Sequence, residues 1–147
     1  IPEYKDQVIL EIGSDYGSTA YYFFTKGAKQ VISIESAPSL HEKALENREG
    51  DENWFPICET IESSEQLTNL LLNYKPTILH MDCECCEHFL IGVPKEAFES
   101  VEWAQIEIHH SVQLHEMFFK KFEELEYDLI RDYVYRECWI TVWRKGK

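Results

Sequence analysis

Residues Val8 to Gly17 read VILEIGSDYG, and the rest of the chain is arranged around them. Val8, Ile9, Leu10 and Ile12 form a nearly continuous apolar run, which suits a strand buried on both faces of a parallel sheet. Glu11 lies near its end, and a loop with glycines at 13 and 17 opens a predicted helix of small and aromatic residues, Gly17 to Lys26. Glycine lets a backbone turn tightly and come close to a ligand, and a helix start presents unpaired N–H groups. The next apolar run, VISIE, ends in a second acid, Glu35. Strand, glycine loop, helix, strand and acid together point to a nucleoside-containing cofactor at the edge of a parallel sheet.

The 147 residues predict a single domain, 1–147, with no need of a disulfide scaffold. Fourteen Lys and Arg against 27 Asp and Glu give a formal charge of −13, which repels phosphate backbones and anionic lipid. The one modest basic cluster is the tail Arg144, Lys145 and Lys147, so no nucleic-acid partner is expected. No apolar run has the length of a membrane span and the start does not resemble a signal peptide, which makes a cytoplasmic protein the expectation. Cys58, Cys83, Cys85, Cys86 and Cys138 are odd in number and unevenly spaced, favouring reduced thiols.

Taken in order, the chain predicts strands at Gln7 to Ile12, Gln30 to Ile34, Trp54 to Cys58, Thr77 to Met81 and Trp103 to Ile108. Helices are predicted at Gly17 to Lys26, Pro38 to Asn47, Glu65 to Leu72 after a Ser63 or Ser64 cap, Glu84 to Leu90, and Val112 to Leu125. Tyr127 to Tyr135 and Glu137 to Arg144 read as an antiparallel hairpin. Alternating strands and helices ending in a hairpin imply a three-layer α/β fold, Rossmann-like, with a mostly parallel seven-stranded sheet. The hairpin aromatics Tyr133, Tyr135, Trp139 and Trp143 could form a homodimer surface or an acceptor pocket, although core packing is the commoner use.

These residues resemble a class I S-adenosylmethionine-dependent methyltransferase, and more narrowly the FkbM family. That family's first motif runs acid, x, Gly, x, Asn, x, Gly, followed by an aromatic helix closing in Gly-Ala, a strand and Glu. Here stand Glu11, Gly13, Asp15 and Gly17, then Phe23, Phe24, Gly27, Ala28 and Glu35. The family's second block, Ile-Asp-x-Glu-Gly-x-Glu, is matched by Met81 to Glu87. Three departures stand out: Asp15 replaces Asn, Cys85 replaces Gly, and Ser36 replaces a frequent Pro.

The resemblance implies S-adenosylmethionine as cofactor, with Glu35 accepting both ribose hydroxyls and Gly13 and Gly17 admitting the backbone to the cofactor. It also implies Glu11 or Asp15 near the cofactor's amino group, Ser36 beside the ribose, and Cys58, Glu59 and Thr60 beside the adenine. Asp82 would sit by the sulfonium. Methyl transfer needs a positioned acceptor and a general base, for which Asp82, Glu84, Glu107, His109 and His110 are candidates and Asp82 and His109 preferred. The acceptor implied is a small-molecule hydroxyl of a sugar, lipid or metabolite. A catalytically degenerate cofactor-binding module is the alternative, and an NAD-binding oxidoreductase is disfavoured because EIGSDYG lacks GxGxxG.

His80, Cys83, Cys85, Cys86 and His88 crowd together, and thiolate with imidazole suits zinc. The spacing is read as poor for a metal, with no C-x-x-C pair, cysteine is also a common small core residue, and the cluster overlies the second family block, so no metal is expected there. A divalent ion on Asp82, Glu84 and Glu107 is a separate minority reading.

Overall fold

In the computed structural model, which describes residues 2–48, 50–109 and 112–147, the strands are β1 (Val8–Ile12), β2 (Gln30–Glu35), β3 (Trp54–Cys58), β4 (Ile78–Met81), β5 (Trp103–His109), β6 (Tyr127–Tyr135) and β7 (Cys138–Lys145). They form one seven-stranded sheet in the order β3-β2-β1-β4-β5-β7-β6. Neighbours from β3 to β5 pair in parallel, and β7 runs antiparallel to both β5 and β6. The fold is the Rossmann-like methyltransferase architecture expected from the sequence, with the hairpin inserting its last strand between β5 and the edge strand β6.

Side chains alternate across the sheet, so each strand feeds two cores. Ile9, Val31, Trp54 and Ile78 pack with Ala20 and Phe23 of α1 (Ser18–Thr25) and Ala44 of α2 (Pro38–Asn47). Leu10, Ile12, Ile32 and Leu79 pack instead with Leu67 and Leu71 of α3 (Ser64–Tyr74) and with Phe118 and Phe122 of α4 (Val112–Glu124). Of the stripe read from helical spacing, Phe118, Phe122 and Leu125 are core and Leu114 packs against it partly buried. Ser63 is the α3 cap, its hydroxyl accepting from the Gln66 N–H.

The predicted helix over Glu84 to Leu90 is instead a 3-10 segment, Cys86–Gly92, followed by a second one, Lys95–Phe98. Pro94 and the positive φ of Glu84 (49°) and Cys85 (97°) leave no room for a regular α-helical run. Edge strand β6 is exposed over most of its length, leaving Leu129, Ile130, Tyr133, Val134 and Tyr135 at the surface. Among the described residues no helix is long and apolar enough to cross a membrane.

Two glycines explain why the β1 loop is built as it is. A Cβ on Gly13, whose φ is +83°, would lie 1.8 Å from the Asp82 carbonyl oxygen. A Cβ on Gly17, φ +87°, would lie 2.4 Å from the Trp54 ring. The resemblance gives both glycines to cofactor approach, but each is already required by contact within the protein. Trp54 cannot retreat easily, because it is 1% exposed and its indole N–H donates to the Ser33 hydroxyl at 2.8 Å. Gly17→Ala is expected to destabilise the fold by about 2 kcal/mol or more, the left-handed penalty plus an overpacked ring, measured by urea unfolding.

Candidate active site

The carboxyl ends of β1, β2 and β4 open onto a cleft of about 420 Å³, with Gly13, Asp15, Glu35, Glu59, Asp82 and Cys86 among its walls. It lies where the strand order reverses direction between β1 and β4, the place where open α/β sheets bind ligands. Ser36 and Thr60 line it too. Glu11, Gly17 and Cys58 do not line it. Glu11 is fully buried beneath, Gly17 faces Trp54, and Cys58 is exposed at the end of β3.

Glu35 is the best-anchored residue of the cleft. Its Oε2 accepts from the Asp15 N–H and its Oε1 from the Ala37 N–H, each at 2.8 Å. One carboxylate thus joins the glycine loop to the start of α2. Oε2 keeps a second lone pair for a ligand hydroxyl, whereas Oε1 also accepts a long bond from the Ser36 hydroxyl at 3.4 Å, which a ligand hydroxyl would have to displace. Asp15 adopts φ 51°, a left-handed conformation that Asn and Asp tolerate better than most residues, so its replacement of Asn leaves the loop geometry intact.

Across the cleft, Asp82 follows β4 and His109 ends β5. The two lie close, with His109 Nε2 3.8 Å from Asp82 Oδ1. Glu84 and Glu107 approach the same nitrogen at 3.8 Å and 3.7 Å. Burial, and then the charge of Glu107, push the Asp82 carboxyl up to about 6, partly offset by His109. Next to this group, the Cys138 thiol donates to Glu107 Oε1 at 2.6 Å, and burial together with that bond raises its pKa to about 12. His110 lies outside the described residues.

The residue the sequence reading left without a role is Glu87. It has no solvent exposure. Its Oε1 accepts from the His109 backbone N–H at 2.8 Å and lies 3.1 Å from His109 Nδ1, while its Oε2 accepts from the Cys85 N–H at 2.9 Å. Its place as the last acid of the second family block was visible. Its partner was not, because His109 is remote in sequence.

The cysteine and histidine cluster comes apart. Cys83 and Cys86 form a disulfide, which corrects the expectation of reduced thiols and removes one ground for a cytoplasmic setting. Cys83 and Cys86 stand in a C-x-x-C spacing, which corrects the reading that the cluster holds no such pair. Cys58, Cys85 and Cys138 are free thiols. His80 turns to the opposite side, where its Nδ1 is 4.0 Å from Glu11 Oε1. Burial lowers the His80 pKa to about 4, and burial with Asp82 and Glu35 nearby raises that of Glu11 well above its ordinary 4.5, so the site opposes charge on both groups. His88 is exposed beside the Cys85 carbonyl. These residues do not converge on a zinc ion.

Comparison with known proteins follows the same lines. The fold is similar to that of Methanococcus jannaschii fibrillarin, described as a pre-rRNA processing protein, with a TM-score of 0.67 at 19% identity over 100% of this chain and 70% of that one. Aeropyrum pernix fibrillarin, solved with natively bound S-adenosylmethionine, matches with a TM-score of 0.66 at 14% identity over 97% of this chain and 68% of that one. A Streptococcus agalactiae protein of the NADB-Rossmann superfamily gives 0.72 at 12% identity, covering 99% of this chain and 64% of that one. These likenesses show a class I methyltransferase fold. In sequence, the chain is 40% identical over 84 residues to the uncharacterised protein 158B of Sulfolobus islandicus rod-shaped virus 1. That match spans 56% of this chain and 50% of the relative, about half its length. No protein-family model matches the chain.

Two expectations follow from the site. Because the folded pKa of Asp82 lies above its ordinary 3.8, the folded state holds that proton more tightly, and stability falls as pH rises from about 4 through about 6. Asp82→Asn should therefore raise the melting temperature in EDTA at pH 7.5, with the gain vanishing below about pH 4. Cys85, at the family's glycine position, has φ 97°, and Cys85→Gly should stabilise the protein by about 1 kcal/mol in urea unfolding.

Proposed function

We propose that the chain is an S-adenosylmethionine-dependent methyltransferase of FkbM type acting on a hydroxyl of a small-molecule acceptor, a sugar, lipid or metabolite. The observation that carries the proposal is Glu35, a carboxylate at the tip of β2 whose oxygens are each fixed by a backbone N–H at 2.8 Å while it lines the cleft. A preoriented carboxylate of this kind suits the paired hydroxyls of a ribose. The cleft volume of about 420 Å³ falls within the range of cofactor sites.

S-adenosylmethionine, when bound, supplies an electrophilic methyl group. The chain's own contribution is placement and proton handling. Glu35, Ser36 and Asp15 would hold the nucleoside end, and Glu59 and Thr60 would flank the base. Asp82 and His109 stand at adjacent strand tips, where they would orient an acceptor hydroxyl and take its proton. An Asp82 carboxyl whose pKa is about 6 is suited to a base working near neutral pH. Glu87 acts behind His109 as a positioning residue.

Fibrillarin's described role in pre-rRNA processing raises RNA as an acceptor. The formal charge of −13 and the carboxylates of Asp82, Glu84 and Glu107 around His109 weigh against a phosphate backbone. They favour a neutral or cationic acceptor.

Calorimetric titration tests the reading. The wild type should bind S-adenosylmethionine and S-adenosylhomocysteine but not NAD. Glu35→Ala should weaken both by at least about tenfold, the loss of charge-assisted hydrogen bonds. Absence of binding by either ligand to the wild type would sink the proposal. A methyl mass gain on members of a hydroxylated acceptor panel separates an enzyme from a binding module.

A further inference from the structure

The disulfide between Cys83 and Cys86 is itself part of the cleft, since both residues line it. Each is half-buried, which leaves the bridge within reach of a reagent entering from solvent. Stability does not account for it. A disulfide stabilises mainly by restricting the unfolded chain, an effect that grows with the loop closed, and here the two cysteines are only 3 positions apart. The fold already has two hydrophobic cores. Accessible disulfides are the labile ones, and C-x-x-C is a spacing in which thiol–disulfide exchange is commonly built.

The bridge is also coupled to the shape of the cleft. Inside the loop it closes, Glu84 and Cys85 both adopt left-handed conformations, φ 49° and 97°, which residues with a Cβ disfavour. On one side Cys83 lies against the glycine loop, where a Cβ on Gly13 would come within 2.8 Å of the Cys83 Cα. On the other, Cys86 begins the 3-10 segment that carries the fully buried Glu87. Cys83 Sγ is 3.7 Å from Glu87 Oε2. In the disulfide that sulfur has no proton, and as a thiol it gains one to donate. Opening the bridge therefore releases a strained turn and adds a donor beside a buried carboxylate, both at the cleft wall.

We propose that Cys83 and Cys86 are a redox-active pair that exchanges with an uncharged dithiol, and that the oxidised pair holds the cleft in its ligand-binding form. A thiolate of the dithiol attacks one sulfur of the pair. The Cys83–Cys86 bond breaks, a mixed disulfide forms, and the other cysteine leaves as a thiolate that takes up a proton. The second thiolate of the dithiol then attacks the reductant's own sulfur in the mixed disulfide, which closes the reductant's disulfide and releases the remaining cysteine to be protonated. Two electrons and two protons pass from the dithiol to the pair. Asp82 and Glu84 line the cleft with the bridge, and their carboxylates repel anionic thiols. Cys85 is a free, exposed thiol and takes no part. The exchange is independent of the methyltransferase reading, whereas its effect on cofactor affinity rests on that reading.

The test uses the full folded chain, treated with dithiothreitol and then, after its removal, with oxidised dithiothreitol. Alkylation in denaturant and mass spectrometry count the thiols at each stage. The 3 free thiols of the oxidised protein should be joined by Cys83 and Cys86 on reduction, and these two should be lost together on reoxidation. Cys85→Ser should keep that paired change. Amide hydrogen exchange across 82–92 should speed up on reduction while far-ultraviolet circular dichroism stays the same. S-adenosylhomocysteine, titrated calorimetrically, should bind the reduced protein at least about fivefold more weakly. The double variant Cys83→Ser with Cys86→Ser should behave as the reduced form in any redox buffer. A bridge that resists dithiothreitol in the folded chain, reduction that unfolds the chain, or loss of the paired change in Cys85→Ser would each overturn the proposal. So would unchanged hydrogen exchange across 82–92. Equal affinity of both forms for S-adenosylhomocysteine removes the switch and leaves the methyltransferase reading standing; binding by neither form removes that reading, and hydrogen exchange then decides the switch.

Discussion

The contact on which the cleft depends is the one between Gly13 and the backbone of Asp82. With φ +83° and no side chain, Gly13 lets the loop after β1 lie against the loop after β4, at a spot where a Cβ would come within 1.8 Å of a carbonyl oxygen. The pairing of β1 with β4 brings these ends together, since Ile12 stands opposite Met81 and the Asp82 N–H donates to the Ile12 carbonyl. Glu35 then ties the same loop to β2 and α2 through the Asp15 and Ala37 N–H groups. The cleft between β1 and β4 is therefore set by contacts within the protein itself.

A second organising feature is the density of carboxylates at this sheet edge. Glu11 is buried with neither oxygen hydrogen-bonded among the described residues, and burial raises its pKa well above the ordinary value, favouring the uncharged form. Burial and then Glu107 push the Asp82 pKa up to about 6. Such an arrangement costs stability, since like charges and desolvated carboxyls both oppose folding. Clusters of this kind concentrate at sites that do chemistry. Glu87 differs from its neighbours because backbone N–H groups of His109 and Cys85 satisfy it, and it gives the cluster its one fixed imidazole.

The elements of the fold were legible wherever local pattern and tertiary environment agree. Continuous apolar runs marked β1, β2 and β4, Pro38 marked the start of α2, and the apolar stripe marked α4. The segment after Asp82 was misread as a helix because its composition permits one. Glu84 and Cys85 adopt left-handed conformations that side-chain identity did not announce. The glycines of the first loop were recognised but explained differently: they are required by Asp82 and Trp54, neither of which is adjacent in sequence.

By itself the sequence determined the layer architecture, the place of the cleft at the β1 and β2 tips, and the position of Glu35 at the β2 tip, because each depends on a strand, a turn and an acid that are near one another along the chain. Only the tertiary structure decided which of the remaining polar residues meet. It joined Cys83 to Cys86, parted His80 from the other soft ligands, and set Glu87 behind His109. It also brought Asp82 and Glu84 against Glu107 and His109. The physical reason is that parallel pairing of β4 with β5 aligns Met81 with Ile106, so residues following each strand end share one edge. Side chains there point by strand parity and loop conformation, which are fixed only when the sheet is assembled.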